Sequence, residues 1–396
     1  MPARPGEAAP RLRDESAQGR RDEAAPARPD EAAPRLRDES AQGRRDEAAP
    51  ARRDENAPGM RAFVVTGPRR SEVAEVEEPR PSRGQVVVDI DRVGVCGTDV
   101  EFFTGEMAYL HQGHARYPIR LGHEWCGTVR AAGDGAGQGW LGRRVTGDTM
   151  LGCGGCERCR DGRAHVCESR YEVGIRGGFP GALAERMAVP VTALRPLPDA
   201  VDEVAGALVE PGGSALRSLW GAGLAPGQRV LVLGPGTIGL LVALFALADG
   251  AEVHVVGVSE PSLRFARTLG VHGAWLAADL PRLSFDAVID ASTSPAVPAL
   301  ALELVEPGGR LVYIGVAGRP SVIDTRTLVL KDVTAVGILG ASAGLGGTIE
   351  RYAAGSVDPR PLVAATVGLA DVGEVLAGWR PPGSGPGPKV HVDPRA

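Results

Sequence analysis

The hydrophobic pattern of the chain changes twice between its two ends. Across residues 1–59 the only sizeable apolar side chains are Met1, Leu12 and Leu36. From Met60 to about residue 200, short segments of high β-propensity alternate with Gly and Pro, which predicts a β-rich region. Its predicted strands are Arg61–Thr66, Gln85–Val95, Gly127–Ala132 and Arg143–Val145.

Beyond about Pro198, helical stretches alternate with apolar runs. The runs are Arg229–Leu233, Glu252–Val258, Ala287–Asp290, Arg310–Ile314 and Thr334–Ile338. Short apolar runs separated by helices are typical of buried parallel strands, so this half predicts a doubly wound sheet over residues 201–354. Because Lys389–Val392 has the pattern of one more short strand, residues 355–396 are predicted to return to the β-rich domain of residues 60–200. The predicted fold class is α/β.

The N-terminal segment is a direct repeat. Residues 2–25 recur at residues 26–49 with Gly6 replaced by Asp30, and a third, decaying copy begins at Pro50. The repeat has too little apolar surface to build a stacking face, so residues 1–59 are predicted to be a disordered extension. Two interpretations stay open: an interaction tail, or a duplicated extension placed before an original start at Met60.

Composition and charge narrow the classes of function. Hydrophobic residues make up 43% and charged residues 23% of the 396 residues, a globular balance. The net charge is −5 and no basic patch is visible, so neither nucleic acid nor a membrane surface is expected as partner. The longest apolar run, Val230–Ala248, contains a Gly-Pro-Gly turn and predicts strand, turn and helix rather than a membrane span. With no signal peptide visible, a cytoplasmic location is expected.

A glycine motif follows the first apolar strand of the second half. Gly234-Pro235-Gly236-Thr237-Ile238-Gly239 fits G-x-G-x-x-G, and the apolar segment Leu240–Ala248 follows it as a predicted helix. Gly234 permits the tight turn, Gly236 lets the backbone approach a pyrophosphate, and Gly239 lets helix and strand pack closely. The motif therefore predicts a dinucleotide site.

Four of the six cysteines lie close together. Cys153, Cys156, Cys159 and Cys167 have the spacing C-x2-C-x2-C-x7-C, which predicts a closed, structural zinc site of four thiolates. An iron–sulfur cluster fits less well, because its typical run ends in an x3 gap and Cys-Pro. Reduced thiols without a metal are the remaining alternative.

A second, mixed set of metal-ligating residues is spread along the chain. Cys96 ends a predicted strand in Gly-Val-Cys-Gly-Thr-Asp, Gly122-His123-Glu124 follows, and Glu210 precedes Pro211 just before the second domain. A thiolate, an imidazole and carboxylates can hold zinc and leave a position for a substrate oxygen. Singly, each has an ordinary alternative: a buried cysteine, a hydrogen-bonded core histidine or a solvated glutamate. Cys126 lies in an apolar strand and is interpreted as core.

Together these motifs resemble the zinc-containing medium-chain dehydrogenases, in particular the sorbitol, threonine and glucose dehydrogenase branch, from about Met60 to the end. The resemblance implies a GroES-like catalytic domain over 60–200 and 355–396, and a Rossmann domain over 201–354. The residues that carry it are Met60–Val65, Val95–Asp99, Gly122–Glu124 with Gly127 and Gly133, the four cysteines, Glu210-Pro211 and the glycine motif.

The resemblance also implies roles for single residues. Cys96, His123 and Glu210 would bind the catalytic zinc, with Glu124 as an alternating or additional ligand. Thr98 would hydrogen-bond the substrate oxygen and begin a proton relay. Asp99 would orient the His123 ring, and Ser214 would lie near the nicotinamide.

The sequence departs from the family pattern in two places. Glu101 stands where many members carry a relay histidine, so we expect this carboxylate to carry the proton. The stretch Thr104–Tyr117 is longer than usual, and His111 and His114 within it are the next relay candidates.

The predicted function is a zinc-dependent alcohol or polyol dehydrogenase that transfers hydride between a secondary, sugar or cyclitol alcohol and NAD(P). Two zinc ions, one catalytic and one structural, and a homo-oligomer, dimer or tetramer, are expected. The rivals are a zinc-free quinone or enoyl reductase of the same fold, and a non-catalytic binding protein that keeps the fold.

The coenzyme preference is predicted from the end of the second Rossmann strand. NAD enzymes carry an acidic residue there, which binds the ribose hydroxyls and repels a 2′-phosphate. The position falls on Gly257, and Ser259 with Arg264 or Arg267 could bind that phosphate, although Glu260 stands close by. Dual use with a preference for NADP is expected.

Overall fold

The computed structural model describes residues 59–396. The predicted repeat extension of residues 1–59 therefore lies, except for Gly59, outside the described part of the chain. Within residues 59–396, no helix is both long enough and apolar enough to cross a membrane.

The described chain alternates between strands and helices. The strands are β1 (Gly59–Gly67), β2 (Arg70–Glu77), β3 (Gln85–Gly94), β4 (Glu124–Ala132), β5 (Arg144–Gly147), β6 (Met150–Leu151), β7 (Tyr171–Glu172), β8 (Arg186–Pro190), β9 (Leu194–Pro196), β10 (Arg229–Leu233), β11 (Glu252–Gly257), β12 (Gly273–Leu276), β13 (Phe285–Asp290), β14 (Val305–Tyr313), β15 (Thr334–Gly337), β16 (Val363–Gly368) and β17 (Lys389–Asp393). The helices are α1 (Gly97–Thr104), α2 (Ala108–His111), α3 (Glu157–Arg160), α4 (Glu203–Ala207), α5 (Val209–Ala222), α6 (Thr237–Ala248), α7 (Glu260–Thr268), α8 (Val297–Leu304), α9 (Thr325–Leu330), α10 (Leu345–Ala353) and α11 (Val372–Leu376).

A seven-stranded sheet organises the first half. Its strands run in the order β16-β17-β3-β4-β5-β9, and β8 pairs with β3. All pairs are antiparallel except β16 with β17. The central strand β3 is buried along most of its length because it is covered on both edges and packs its Val and Ile side chains into one apolar core. The C-terminal strand β17 thereby joins β3, although almost 300 residues separate them.

Seven strands of the structure were not predicted from the sequence: β2, β6, β7, β8, β9, β12 and β16. The polar strand β2 forms a hairpin with β1, and its side chains are at least partly exposed along its whole length. Strand β16 lies at an edge of the seven-stranded sheet. Edge and surface strands bury little apolar surface, so their hydrophobic pattern is weak. Strand β4 also begins at Glu124, three residues earlier than predicted.

A six-stranded parallel sheet organises the second half. Its order is β12-β11-β10-β13-β14-β15, so the chain starts at the centre, moves to one edge and then returns to fill the other. The order reverses between β10 and β13, and in such sheets ligands bind in the crevice beyond the carboxyl ends at the reversal point. The glycine turn that follows β10 lies at this point. The predicted α/β class with a doubly wound sheet is confirmed.

Helix α5 connects the two sheets. It packs against α6 and α10 on the side of the parallel sheet and against β4 on the other side. Most of its residues are buried, from Val209 through Ala222. The helix therefore carries polar residues of its first turns into the region where the sheets meet.

Candidate active site

Cys96 is held at a junction between strand and helix. Strand β3 ends at Gly94, and helix α1 begins at Gly97 with Cys96 as its N-cap residue. The backbone N–H of Cys96 donates to Asp99 Oδ2 at 2.9 Å. An acidic side chain in the first helical turn also favours the positive end of the helix dipole. This short-range contact fixes the direction in which the cysteine side chain leaves the backbone.

Three of the predicted catalytic zinc ligands lie together. The ligand atoms of Cys96, His123 and Glu124 are all within 4.8 Å of one another. His123 and Glu124 are buried, whereas Cys96 is partly exposed. A thiolate, an imidazole and a carboxylate are a donor set that suits zinc, and the exposed side of Cys96 leaves access for a substrate. The residues present therefore fit a catalytic zinc ion.

Asp99 lies beside the histidine, as predicted. Its Oδ1 is 3.6 Å from His123 Nδ1 and accepts the backbone N–H of Gly122 at 3.3 Å. Burial alone would lower the pKa of His123, but Asp99 and Cys96 act in the opposite direction and hold it well above its usual value. The carboxylate stabilises positive charge on the ring, although Nδ1 itself is buried without a hydrogen-bond partner.

The structure also places a lysine at this cluster, which the sequence did not predict. Lys389 Nζ donates to both carboxylate oxygens of Glu124, at 2.9 and 2.6 Å, and to the carbonyl of Val95 at 2.8 Å. The side chains of Lys389 and Glu124 are 3% and 2% exposed. Burial would lower the pKa of Lys389, yet Glu124 and Cys96 raise it above its usual value, so the ammonium stays charged.

Gly94 makes this ion pair possible. It lies between Glu124 of β4 and His391 of β17 in the sheet register. A Cβ at position 94 would collide with the carboxylate of Glu124. The absence of a side chain lets Glu124 cross the central strand and reach Lys389.

Glu210 is buried near this cluster but does not belong to its compact part. It lies in the first turn of α5, and burial raises its pKa to about 7, with His123 lowering it and Glu124 raising it. The three groups therefore act on one another electrostatically. Of the two predicted carboxylate ligands, the structure brings Glu124 closer to Cys96 and His123.

The predicted relay residues lie on α1 and in the long stretch that follows. Thr98 is partly exposed in the first turn of α1. Glu101 is also partly buried, and burial, followed by the charge of Glu106, raises its pKa. His111 is exposed with its Nε2 3.0 Å from the carbonyl of Gly105, and His114 packs edge-on against Tyr109. Of these candidates, Glu101 lies on the same helix as Thr98, one turn further along.

The four-cysteine lobe has the arrangement that its spacing predicts. All four sulfurs lie within 4.8 Å of one another, with Cys153 and Cys159 4.0 Å apart and Cys156 and Cys167 3.8 Å apart. Backbone N–H groups of Gly155 and Cys156 lower the pKa of Cys153 to about 6, whereas burial raises the pKa of Cys159 to about 11. Four thiolates at this separation fit a closed zinc site.

The glycine turn is built for close backbone approach. Gly234 has φ of 104°, and a Cβ there would meet the carbonyl of Ala291 at 3.0 Å. A Cβ on Gly239 would collide with the carbonyl of Gly234. Gly236 is the N-cap of α6 with open space around it, and Thr237 and Ile238 begin the helix. The free N–H groups of this helix start can receive a pyrophosphate.

The end of β11 explains why the acidic position holds glycine. A Cβ on Gly257 would meet Pro235 Cγ at 2.8 Å and Leu263 Cδ2 at 3.0 Å. The proline of the glycine motif therefore excludes an aspartate at position 257 without rearrangement. Ser259 is the N-cap of α7, and its hydroxyl lies 2.8 Å from that of Ser262.

The two arginines near this strand differ in their contacts. Arg267 donates to Glu260 at 2.7 Å and to the carbonyl of Ala274 at 2.7 Å. Arg264 is exposed and makes no hydrogen bond or ion pair with other described residues. Of the two, Arg264 is free to meet a phosphate. Ser214, the residue predicted near the nicotinamide, is buried in α5 four positions after Glu210.

Comparison with known proteins agrees with this architecture. Residues 82–199 match the alcohol dehydrogenase GroES-like domain, and residues 237–354 match the zinc-binding dehydrogenase family. The chain is 32% identical to an L-threonine 3-dehydrogenase of Idiomarina loihiensis over 280 residues, 68% of this chain and 80% of that protein. It is 30% identical to a 2-dehydro-3-deoxy-L-galactonate 5-dehydrogenase of Pseudoalteromonas atlantica, over 78% of this chain and 92% of that protein.

Solved structures show the same fold. A protein of Sinorhizobium meliloti 1021, classed as a zinc-binding dehydrogenase and bound to NADP, aligns with a TM-score of 0.77 at 25% identity and covers 85% of this chain and 100% of that one. The resemblance inferred from the motifs is confirmed: the chain belongs to the zinc-containing medium-chain dehydrogenases, in the branch of the threonine and sorbitol dehydrogenases.

Proposed function

We propose that this protein oxidises a secondary hydroxyl group of a polar polyol, sugar or cyclitol, with zinc and a nicotinamide coenzyme. The observation that carries the proposal is the cluster of Cys96, His123 and Glu124, a mixed donor set in which Cys96 is partly exposed. A GxGxxG turn at the reversal point of a parallel sheet supports the coenzyme. A zinc-free reductase or a purely structural relative has no need of this donor set.

Cys96 and His123, with Glu124 or Glu210, would hold the catalytic zinc, and Cys153, Cys156, Cys159 and Cys167 the structural one. The catalytic zinc supplies Lewis acidity toward a substrate oxygen, and the coenzyme supplies the hydride acceptor.

The protein side chains around the site orient groups and move the proton. Asp99 would hold the His123 ring in place through Nδ1. The Thr98 hydroxyl would receive the proton of the substrate hydroxyl, and Glu101, one turn further along the same helix, would pass it to water. The raised pKa of Glu101 brings this carboxylate closer to the working range of a neutral-pH proton carrier.

We favour a polar substrate because charged side chains lie near the cluster of Cys96, His123 and Glu124. Glu124 and Glu210 are buried at the cluster, and Glu101 lies on helix α1, which begins beside Cys96. Carboxylates around a site suit a ligand with several hydroxyls better than a fatty alcohol. Both relatives named above act on polar, multiply substituted compounds.

A homo-oligomer is proposed from the open edge of the parallel sheet. Strand β15 lies at this edge, and the exposed apolar side chains Val322, Val329 and Leu330 lie within 12 residues before it. A second copy could pair its own β15 there and cover these side chains, because an isologous contact matches the same patch on both subunits. Light scattering on the purified protein tests this; a monomeric mass at micromolar concentration would exclude it.

The function itself is tested with purified enzyme and a substrate panel. We expect coenzyme reduction with members of the polyol, sugar or cyclitol group and little with long-chain alcohols, together with two zinc ions per chain, one of them labile to chelators. Replacing Cys96 by Ser should abolish turnover. Absence of turnover on every alcohol, with two zinc ions bound, would argue for the non-catalytic alternative.

A further inference from the structure

A cavity of about 450 Å³ lies outside the cluster of proposed ligands. It is bordered by the β1–β2 hairpin, by the end of the long stretch Thr104–Tyr117 with the residues that follow it, and by a loop before β8. Its lining includes Val64, Val76, Arg116, Tyr117, Arg120 and Phe179. The lining combines apolar and aromatic walls with two guanidinium groups and contains no acidic residue.

The backbone directs Arg120 into this cavity. Ile119 exchanges backbone hydrogen bonds with Val65, both 2.9 Å, and the carbonyl of Arg120 accepts the N–H of Gly181 at 2.8 Å. Ile119 and Leu121 on either side are buried in the core of the seven-stranded sheet. Because side chains alternate along extended backbone, the side chain between them faces the opposite way. The cavity lies on this opposite face, so the side chain of Arg120 lines it.

The guanidinium of Arg120 makes no ion pair with another of the described residues. Its Nε is buried and lacks a hydrogen-bond partner, while the residue as a whole is partly buried. No carboxylate among residues 59–396 acts on its charge. The hydroxyl of Tyr117, the polar group beside it, is already directed to the carbonyl of Phe102. Buried charges in native proteins are normally paired, because an unpaired one loses its hydration without compensation.

The electrostatics at Arg120 agree with a missing anion. Burial lowers its pKa to about 10, and no acidic group acts on it in the opposite direction. An oxyanion would restore the missing interaction, since the planar fork of a guanidinium matches carboxylate and phosphate oxygens in pairs. Arg116, exposed at the cavity mouth, would add a second positive charge.

We propose that this cavity is a binding site for a small organic oxyanion, a carboxylate or a phosphate monoester, held by Arg120 and attracted by Arg116. The apolar walls of Val64, Val76 and Phe179 would receive the carbon part of the ligand. The site is separate from the proposed zinc ligands, although Arg120 lies three residues before His123 in the chain. The proposal does not depend on the dehydrogenase activity.

The test measures thermal stability and binding of the purified, zinc-loaded protein. Potassium phosphate, phenyl phosphate and sodium benzoate are titrated at constant ionic strength against potassium chloride. With the coenzyme site filled by NADP, we expect phenyl phosphate or benzoate to raise the melting temperature by several degrees in a saturable way, and calorimetry to give one site per chain. Phenyl phosphate and benzoate distinguish the two oxyanions, and inorganic phosphate tests the charge without the apolar part.

Variants test whether the thermal shift and the measured binding arise from the cavity. Arg120→Met should weaken binding of the effective anion at least tenfold and, without anion, should melt at or above the wild-type temperature, because an unpaired buried charge is gone. Arg116→Met should weaken binding less. Arg319→Met, at an exposed arginine in the loop between β14 and α9, should leave binding unchanged. The proposal is overturned if no oxyanion binds more strongly than chloride, or if Arg120→Met retains the wild-type affinity.

Discussion

Replacing Lys389 by Met should destabilise the protein far more than any surface ion pair would suggest. The ammonium and the Glu124 carboxylate are 3% and 2% exposed, with N–O distances of 2.6 and 2.9 Å. In the zinc-free protein, removing one partner of a buried pair leaves the other charge without compensation, a loss of about 3–5 kcal/mol. At roughly 2 °C per kcal/mol, the melting temperature should fall by about 6–10 °C.

The pair offers matched controls. Glu124→Gln alone should cost a similar amount, because it leaves the ammonium buried without its counter-charge. The double variant should regain at least half of the summed losses, since residues in direct contact are not additive. Arg326→Met, which breaks the exposed pair with Asp324, should change stability by at most about 1 kcal/mol. A loss below 1 kcal/mol in Lys389→Met would refute the reasoning.

The same two variants should have opposite effects on the labile zinc. Lys389→Met removes a positive charge from the cluster and frees both Glu124 oxygens, so a chelator should extract the metal more slowly than from wild type. Glu124→Gln removes a negative donor and should make extraction faster. Zinc content measured by mass spectrometry during chelation follows both. Equal extraction rates in the two variants would show that Lys389 does not compete with the metal for Glu124.

Three further predictions follow from the sites. Cys156→Ser should lower the melting temperature, because a closed metal site contributes folding free energy. Cys96→Ser and His123→Ala should abolish turnover while the protein still folds, because an open site serves chemistry. Equal thermal shifts in all three variants would remove that distinction. If Glu101 carries the proton as a carboxylate, turnover should fall as the pH drops through its raised pKa. Glu101→Gln should lower turnover and abolish this loss at low pH. An unchanged pH profile in the variant would remove Glu101 from the relay. Because Gly257 cannot repel a 2′-phosphate, kcat/KM should be higher with NADP or comparable for both coenzymes. Arg264→Met should reduce kcat/KM with NADP alone. A wild-type preference for NAD above roughly a hundredfold, about 2.7 kcal/mol, would contradict the prediction.

The sequence by itself determined the features that depend on residues close together in the chain. The four cysteines lie within 15 residues, so a short loop is enough to bring their sulfurs together, and their spacing already predicts a closed metal site. The glycine motif is also a local pattern, and the structure has it between a strand and a helix, as the sequence predicted. Strand β10 was predicted over Arg229–Leu233 and has these bounds in the structure. A short apolar run that ends at a glycine turn is a local signal.

Only the tertiary structure decided which distant residues meet. Lys389 lies 265 residues after Glu124, and their contact depends on β17 pairing with β3 and on the missing side chain of Gly94. The packing of Pro235 against Gly257 likewise needs the parallel pairing of β10 with β11. Local periodicity records which face of a strand is apolar, but strand order and register are set by long-range packing. The partners of buried charges therefore could not be predicted from the sequence.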